Sequence, residues 1–311
     1  MRKIIGIGET IMDIIFRDGQ PTAAVPGGSV FNGIVSLGRL HQPATIISET
    51  GNDRMGQVIL QFLRDNGVDP GHVAVYKDGR SAISLAWLNE RNEADYIFYK
   101  DYPNARLEVD WPLIQSDDIV VMGSYFVLNP ILRPKVSDFL AYARRQGALI
   151  YYDFNYRSSH RDEVDAVFPT VLSNVDVADI VRGSVDDYEV LFACGDPEAV
   201  YARHVCSHCG ILLSTAAGSA VRLHTPTLRK SYAVPPIETV STIGAGDNFN
   251  AGIVFGLMHY GIRRADLPGL SETDWDRIVQ CGIDLSTEAC RSIHNSISTD
   301  FAQQYLSRLC H

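Results

Sequence analysis

Short apolar runs alternate with longer amphipathic stretches along this chain. Lys3–Ile7, Ala44–Thr50, Ile119–Met122, Ala148–Tyr152, Asp179–Val181 and Ile211–Ser214 have the length and apolar density of buried strands. Between and after them, apolar residues recur at helical spacing over Val30–Leu40, Met55–Asn66, Pro134–Gln146, Asp162–Ser173 and Glu198–Cys206. Three more such stretches close the chain: Asp247–Tyr260, Glu272–Thr287 and Thr299–Leu309. Strand–helix alternation of this kind predicts a mostly parallel sheet covered by helices on both faces. No repeat, low-complexity tract or long linker interrupts it, so residues 1–311 are expected to form one domain.

One segment departs from the alternation. Ser81–Lys100 ("SAISLAWLNERNEADYIFYK") reads as strand, polar turn, strand, and it follows a short strand at His72–Tyr76. These pieces predict a small separate sheet projecting from the main body. Trp87, Tyr96 and Tyr99 would suit either a lid or a contact with a second copy.

Charge narrows the partners. There are 27 basic and 37 acidic residues, a net charge of −10, which argues against a broad nucleic-acid or membrane surface. No window approaches the ~20 apolar residues that span a bilayer. Glu9 and Asp13 break the first apolar run too early for an export signal, and of the six cysteines only Cys206 and Cys209 form a close pair. A reduced, cytoplasmic protein is the expectation.

Three clusters carry candidate chemistry. In "STIGAGDNFNAG", Ser241–Gly252, small residues Gly244, Ala245 and Gly246 lead into a helix that opens with Asp247. Unpaired N–H groups and the helix dipole make such a turn an anion site. An ionised carboxylate at the same point could take the proton of an attacking hydroxyl as a phosphoryl group moves; it could also be a simple cap. In "PGGSVFN", Pro26–Asn32, a second glycine turn opens a helix and presents Asn32 beside Gly28. Asp13, shortly after the first strand, would sit near the carboxyl edge of the sheet, where parallel sheets bind ligands. Asp and Asn together suit neighbouring hydroxyls, hence a polyol. In "YYDFNYR", Tyr151–Arg157, alternation would bring Asp153, Asn155 and Arg157 to one side, with Arg157 either clamping an anion or pairing with Asp153.

"GIGETIMD" lacks the third glycine of a dinucleotide fingerprint, and no P-loop lysine stretch occurs. "HVCSHC" has no second cysteine pair at zinc-finger spacing.

Taken together, "PGGSVFNGIVSLGRL", "GNDRMG", "DFNYR" and "STIGAGDNFNAGIVFG" resemble the signatures of the ribokinase-like, or PfkB, family of carbohydrate kinases, across nearly the whole chain. The "DFNYR" form is similar to fructokinases and 2-keto-3-deoxygluconate kinases. The resemblance implies a three-layer α/β/α fold with a small β-sheet lid at about 14–26 and 72–102. It implies ATP-dependent phosphorylation of a hydroxyl on a ketose or keto-sugar acid, with Mg²⁺, and K⁺ as a further candidate cofactor. Asp247 would be the base and Gly244, Ala245 and Gly246 the anion hole. Asp13, Gly28, Asn32, Asn155 and Arg157 would bind the sugar, with Asp53 as a further candidate. Ser184, Ser214, Ala216, Gly218 and Thr242 would lie on the nucleotide side, and Asp187 would reach the metal through water. A homodimer through the lid is implied as well.

The chain departs from the family pattern at four places. Ser241-Thr242 replaces Asp-Thr, Ser184–Asp187 replaces N-x-x-E, Ser214–Ser219 replaces T-x-G-x-x-G, and "LSTEACRSIHNS" replaces an Ala/Gly-rich adenine-side stretch. A nucleoside kinase of the same family, with Tyr99, Tyr102 and Phe126 around a base, is one alternative. A sugar-binding regulator that lost turnover is the other.

Overall fold

A computed structural model of the protein describes residues 2–89, 94–103, 105–216 and 218–309. Part of the polar turn of the Ser81–Lys100 segment, Ala217 and Cys310 lie outside the described residues. The large sheet has ten strands among those described. Its order is Arg229–Ala233, Ala220–His224, Leu212–Ala216, Ile180–Ser184, Leu149–Asp153, Ile119–Gly123, Ile4–Ile7, Ala44–Gly51, Val68–Asp69. All neighbours from Leu212–Ala216 to Val68–Asp69 run parallel, and the two strands at the other end form an antiparallel hairpin.

Alternation along each strand feeds two cores. Ile4, Ile46, Val121 and Tyr151 pack into one with Ile34, Ile253 and Phe255. Their neighbours Ile5, Ile47, Val120 and Ile150 pack into the other with Val136, Phe139 and Val171. A strand buried on both faces needs continuous apolar sequence, and the runs read above supply it. The result is the expected helix–sheet–helix sandwich. The helix Ala245–His259 is deeply enclosed: Phe249, Ile253 and Leu257 are buried as one stripe. It packs on Glu272–Ala289 so closely that a Cβ at Gly252 would stand 2.2 Å from the Cys281 carbonyl oxygen.

The smaller sheet is built from Gln20–Gly27, Ile11–Arg17, Arg80–Leu88 and Ala94–Asp101, in that spatial order. Its boundaries differ from those expected in two ways. The strand Val73–Tyr76 pairs in parallel with Ala44–Gly51 of the large sheet and does not join the small one. The small sheet also begins earlier, at Ile11, so that Asp13 lies within it. Edge pairing decided the first point: the end of Ala44–Gly51 beyond Val68–Asp69 still had free backbone groups to satisfy.

The small sheet has two unlike faces. Register sets Asp13 opposite Ser84 and Ser84 opposite Phe98, all turned to one side. The other side carries Ile83, Leu85, Trp87, Ile97 and Tyr99, of which Trp87, Ile97 and Tyr99 are exposed.

Candidate active site

The strand Ile4–Ile7 lies between Ala44–Gly51 and Ile119–Gly123, and the chain order reverses around it. Loops on the carboxyl ends of such strands leave a crevice. Here the crevice is a cavity of about 720 Å³ between the large sheet and the small one. Its wall includes Asp13, Gly28, Asn32, Asn155, Arg157, Gly244, Gly246 and Asp247. Residues spread over more than 200 positions therefore share one space.

Two helix starts meet in it. Ser29–Arg39 begins after Gly28, and Ala245–His259 begins after Gly244. Gly244 has φ 80°, and a Cβ there would lie 2.5 Å from the Asn295 carbonyl oxygen, so only glycine fits the turn. The first helical N–H with a partner along the helix start is that of Asn248, which donates to the Gly244 carbonyl at 2.9 Å. The Ala245 N–H is turned back to the Thr242 carbonyl at 3.2 Å, which leaves the Gly246 and Asp247 N–H groups ahead of the first i→i−4 bond.

Asp247 sits in the first turn, and Asn32 Nδ2 donates to its Oδ2 at 2.8 Å across the two helices. The helix end favours the ionised form of this carboxylate. Loss of hydration works the other way and pushes its pKa up to about 6, against the Asn32 bond and with help from the nearby Asp153 charge. Desolvation outweighs the dipole because the carboxyl stands at the cavity floor rather than on an open helix end. Asn32 Oδ1 is buried with no hydrogen-bond partner among the described residues.

Asp13 is buried too, and burial raises its pKa, partly offset by Ser84, Arg157 and Asn295. The Ser84 hydroxyl and Asn295 Nδ2, at 3.0 Å, both donate to its carboxylate. Asn295 lies in the "LSTEACRSIHNS" stretch assigned above to the nucleotide side. Its side chain instead orients Asp13, and nothing in its local sequence signals that.

Asp153 ends its strand, and its neighbour two on, Asn155, takes φ 36°, so strict alternation stops there. Asn155 Nδ2 donates to the Ser29 hydroxyl at 2.5 Å. Arg157 does not pair with Asp153; its guanidinium lies over the Tyr96 ring of the small sheet, 4.3 Å from the centroid. The partner of Asp153 is Arg182, which sequence reading missed. A charged residue inside the otherwise apolar "DIVRGS" strand was the available signal.

The residues expected on the nucleotide side divide. Ser184, Asp187 and Thr242 line the cavity, while Ser214, Ala216 and Gly218 do not. Ser214 is buried and shares a hydrogen bond of 2.8 Å with the Tyr188 hydroxyl. Ser184 caps the helix Val185–Leu191, and Asp187 completes the capping box: its Oδ2 accepts from the Ser184 N–H at 2.6 Å, and its Oδ1 accepts from the Tyr156 N–H at 2.7 Å. Asp53 caps Arg54–Asp65 and binds Ser81; it lies away from the cavity wall. Of the three aromatics considered for a base pocket, Tyr102 and Phe126 line the cavity and Tyr99 is exposed.

Comparison with known proteins decides the family. The model of pfkB family carbohydrate kinases matches residues 1–298. The chain belongs to the pfkB family of carbohydrate kinases. It is 26% identical over 263 residues to a probable fructokinase-2 of Arabidopsis thaliana, covering 79% of this chain and 78% of that one. It is 27% identical over 248 residues to a 5-dehydro-2-deoxygluconokinase of Geobacillus thermodenitrificans, with 75% and 72% covered. Among solved structures it resembles a Vibrio cholerae fructokinase bound to fructose, ADP and calcium, with TM-score 0.85, 19% identity, and 98% and 99% of the chains covered. This pfkB kinase shares the ribokinase-like fold of such neighbours. No helix among its described residues is long and apolar enough to cross a membrane.

The raised pKa of Asp247 has a consequence for stability. A carboxyl whose pKa is higher in the fold than in the unfolded chain costs stability that builds as pH rises from ~4 and is fully present above the folded value, about 6. Asp247→Asn should therefore be more stable than the wild type to urea at pH 7.5. The difference should shrink as pH falls through 6 toward ~4, the ordinary carboxylate range. Equal stabilities at both pH values would mean that Asp247 is not desolvated.

Proposed function

We propose that this protein transfers the γ-phosphoryl group of ATP to a hydroxyl of a ketose or keto-sugar acid, with Asp247 as base. The observation that carries the reading is Asp247 itself. A desolvated carboxylate, oriented by Asn32, stands one residue from N–H groups that have no helical partner. The hydroxyl oxygen attacks phosphorus, the bond to the ADP oxygen breaks, and the hydroxyl proton passes to Asp247. ADP leaves with the bonding electrons, and the N–H groups of Gly246 and Asp247, ahead of the first i→i−4 bond, hold the charge that develops on the migrating group, whereas the Ala245 N–H is already engaged by Thr242.

Asp13 and Asn32 suit the other hydroxyls of the sugar. The Asp13 carboxylate is aimed by Ser84 and Asn295, and Asn32 has a buried oxygen still free to accept. Arg157 suits the carboxylate of a sugar acid, and Asn155 lies beside it on the cavity wall. On the nucleotide side, Ser184 and Thr242 border the cavity and are the residues best placed for phosphates; Ala216 and Gly218 would serve only a base lying beyond it. Mg²⁺ supplies charge neutralisation on the nucleotide phosphates. Asp187 fits the carboxylate that would hold its water, since Oδ1 keeps a lone pair beside its single bond from Tyr156. The small sheet acts as a lid: Tyr96 lies on Arg157, and Asp13 and Phe98 line the cavity from it. Its outward apolar face, with Trp87, Ile97 and Tyr99 exposed, suits a second copy of the chain.

ADP release should be measured with Mg-ATP against fructose, tagatose phosphate, 2-keto-3-deoxygluconate, ribose and adenosine. Turnover with a ketose or keto-sugar acid is the expected result. Adenosine as the best acceptor would favour the nucleoside reading, and silence toward all would leave a sugar-binding regulator. With the best acceptor, Asp247→Asn should lower kcat by a factor on the order of 10³ while KM moves little. The wild-type kcat/KM should fall tenfold per unit below an apparent pKa of about 6, because only the ionised carboxylate accepts a proton. A flat acid limb would place the base elsewhere. Asp13→Ala should raise the sugar KM more than it lowers kcat; an unchanged KM would remove Asp13 from the sugar site. Tyr99→Asp should halve the mass of the particle in sedimentation if the lid joins two copies, and a monomeric wild type would rule that out.

A further inference from the structure

Arg182 is a second charge at the floor of the same cavity, and the mechanism above leaves it without a role. It lies on the strand Ile180–Ser184, between Leu149–Asp153 and Leu212–Ala216. It is 6% exposed, yet it forms part of the cavity wall with Ser184, Gly246 and Asp247. Its Nη1 donates to both oxygens of Asp153, at 3.0 and 3.2 Å, and its Nη2 donates to the Thr215 hydroxyl at 2.6 Å. Asn250 Nδ2 donates to Asp153 at 2.7 Å, which fixes that carboxylate in turn. Nε is buried with no partner among the described residues. Two neighbours, Asp153 and Thr215, therefore orient the guanidinium while its Nε stays unused.

The fork touches the anion turn. A Cβ at Gly246 would lie 3.0 Å from both Nη1 and Nη2, so the missing side chain is what lets the guanidinium come up to the first turn of the helix. Its surroundings are acidic: Asp153, Asp187 and Asp247 all lie within electrostatic reach. Burial works against the charge on Arg182, but Asp153 and Asp187 outweigh it and hold the guanidinium firmly protonated. A phosphoryl group entering beside three carboxylates needs a fixed cation close by. A purely structural buried ion pair would have little reason to lie at a cavity wall, since apolar residues do as well in a core.

We propose that Arg182 is a catalytic residue whose guanidinium contacts the migrating phosphoryl group beside the N–H groups of Gly246 and Asp247, oriented by Asp153 and Thr215. It moves no proton. It offsets negative charge on the equatorial oxygens, and being held in place beforehand it needs no reorganisation during transfer. The assignment rests on the kinase reading above.

The test uses the full chain, Mg-ATP and the best acceptor of the panel. Arg182→Met should lower kcat by a factor on the order of 10² to 10³ while the sugar KM stays within about twofold. Arg182→Lys should fall between, keeping charge but losing the fork. Millimolar guanidinium chloride should restore part of the turnover of Arg182→Met, which a structural role would not allow. Asp153→Asn combined with Arg182→Met removes the unpaired carboxylate and should stay slow. Wild-type turnover in Arg182→Met overturns the assignment. So does recovery in the double variant, or a loss that follows a lowered thermal midpoint with no guanidinium rescue. A wild-type protein silent toward every acceptor fails the kinase reading and takes this inference with it, whereas an active wild type with a fully active Arg182→Met fails the Arg182 assignment alone.

Discussion

The bond from Asn32 to Asp247 ties the molecule's two halves at the point where they matter. Asn32 belongs to the helix Ser29–Arg39 and Asp247 to the helix Ala245–His259, 215 residues later. For that bond to form, both helices must start at the same edge of the large sheet and approach within side-chain reach. Glycine makes the approach possible: a Cβ at Gly33 would lie 2.9 Å from the Asp247 carbonyl oxygen. The same closeness strips hydration from the carboxyl and raises its pKa. Fold and chemistry are thus coupled by one requirement, two helix starts packed without intervening solvent.

A parallel sheet covered on both faces answers that requirement well. Its inner strands are rigid, since they are paired on both sides and buried on both faces, and their carboxyl ends form a fixed floor. The small sheet is attached differently. The buried pair Arg106–Glu49 and the ring of Tyr102 under Arg106, 3.5 Å from the centroid, anchor the segment after it. Contacts across the cavity itself, such as Tyr96 on Arg157 and Lys100 with Glu9, are few and polar. A rigid floor with a lightly held cover is suited to admitting a ligand and then closing over it.

Much of the site could be seen in the chain before its coordinates. Gly28, Asn32, Asn155, Arg157 and Asp247 were found because each follows a local signal: a small-residue turn opening a helix, or polar residues directly after a buried strand. Such signals arise from backbone geometry within a few residues, so they survive in one dimension. Asn295 and Arg182 carry no such signal. Asn295 sits in an irregular loop whose partner, Asp13, is 282 positions away. Arg182 was legible only as an anomaly, a cation within an apolar strand, and its meaning depends on Asp153 and Thr215 on the adjacent strands. Ser214 erred the other way: its motif position suggested the cavity, but the strand's pleat turned its hydroxyl to Tyr188.

The sequence by itself determined the element order, the parallel sheet and the family, because hydrophobic period and turn chemistry are local and each strand's two apolar faces demand two helix layers. It also determined which small-residue turns begin helices. Tertiary structure alone decided that Val73–Tyr76 joins the large sheet, that Asp247 is desolvated instead of stabilised by its helix end, and which cation faces which carboxylate. Those outcomes depend on distances between segments far apart in the chain. Hydration and Coulomb energies follow distance in space, and residue number does not encode it.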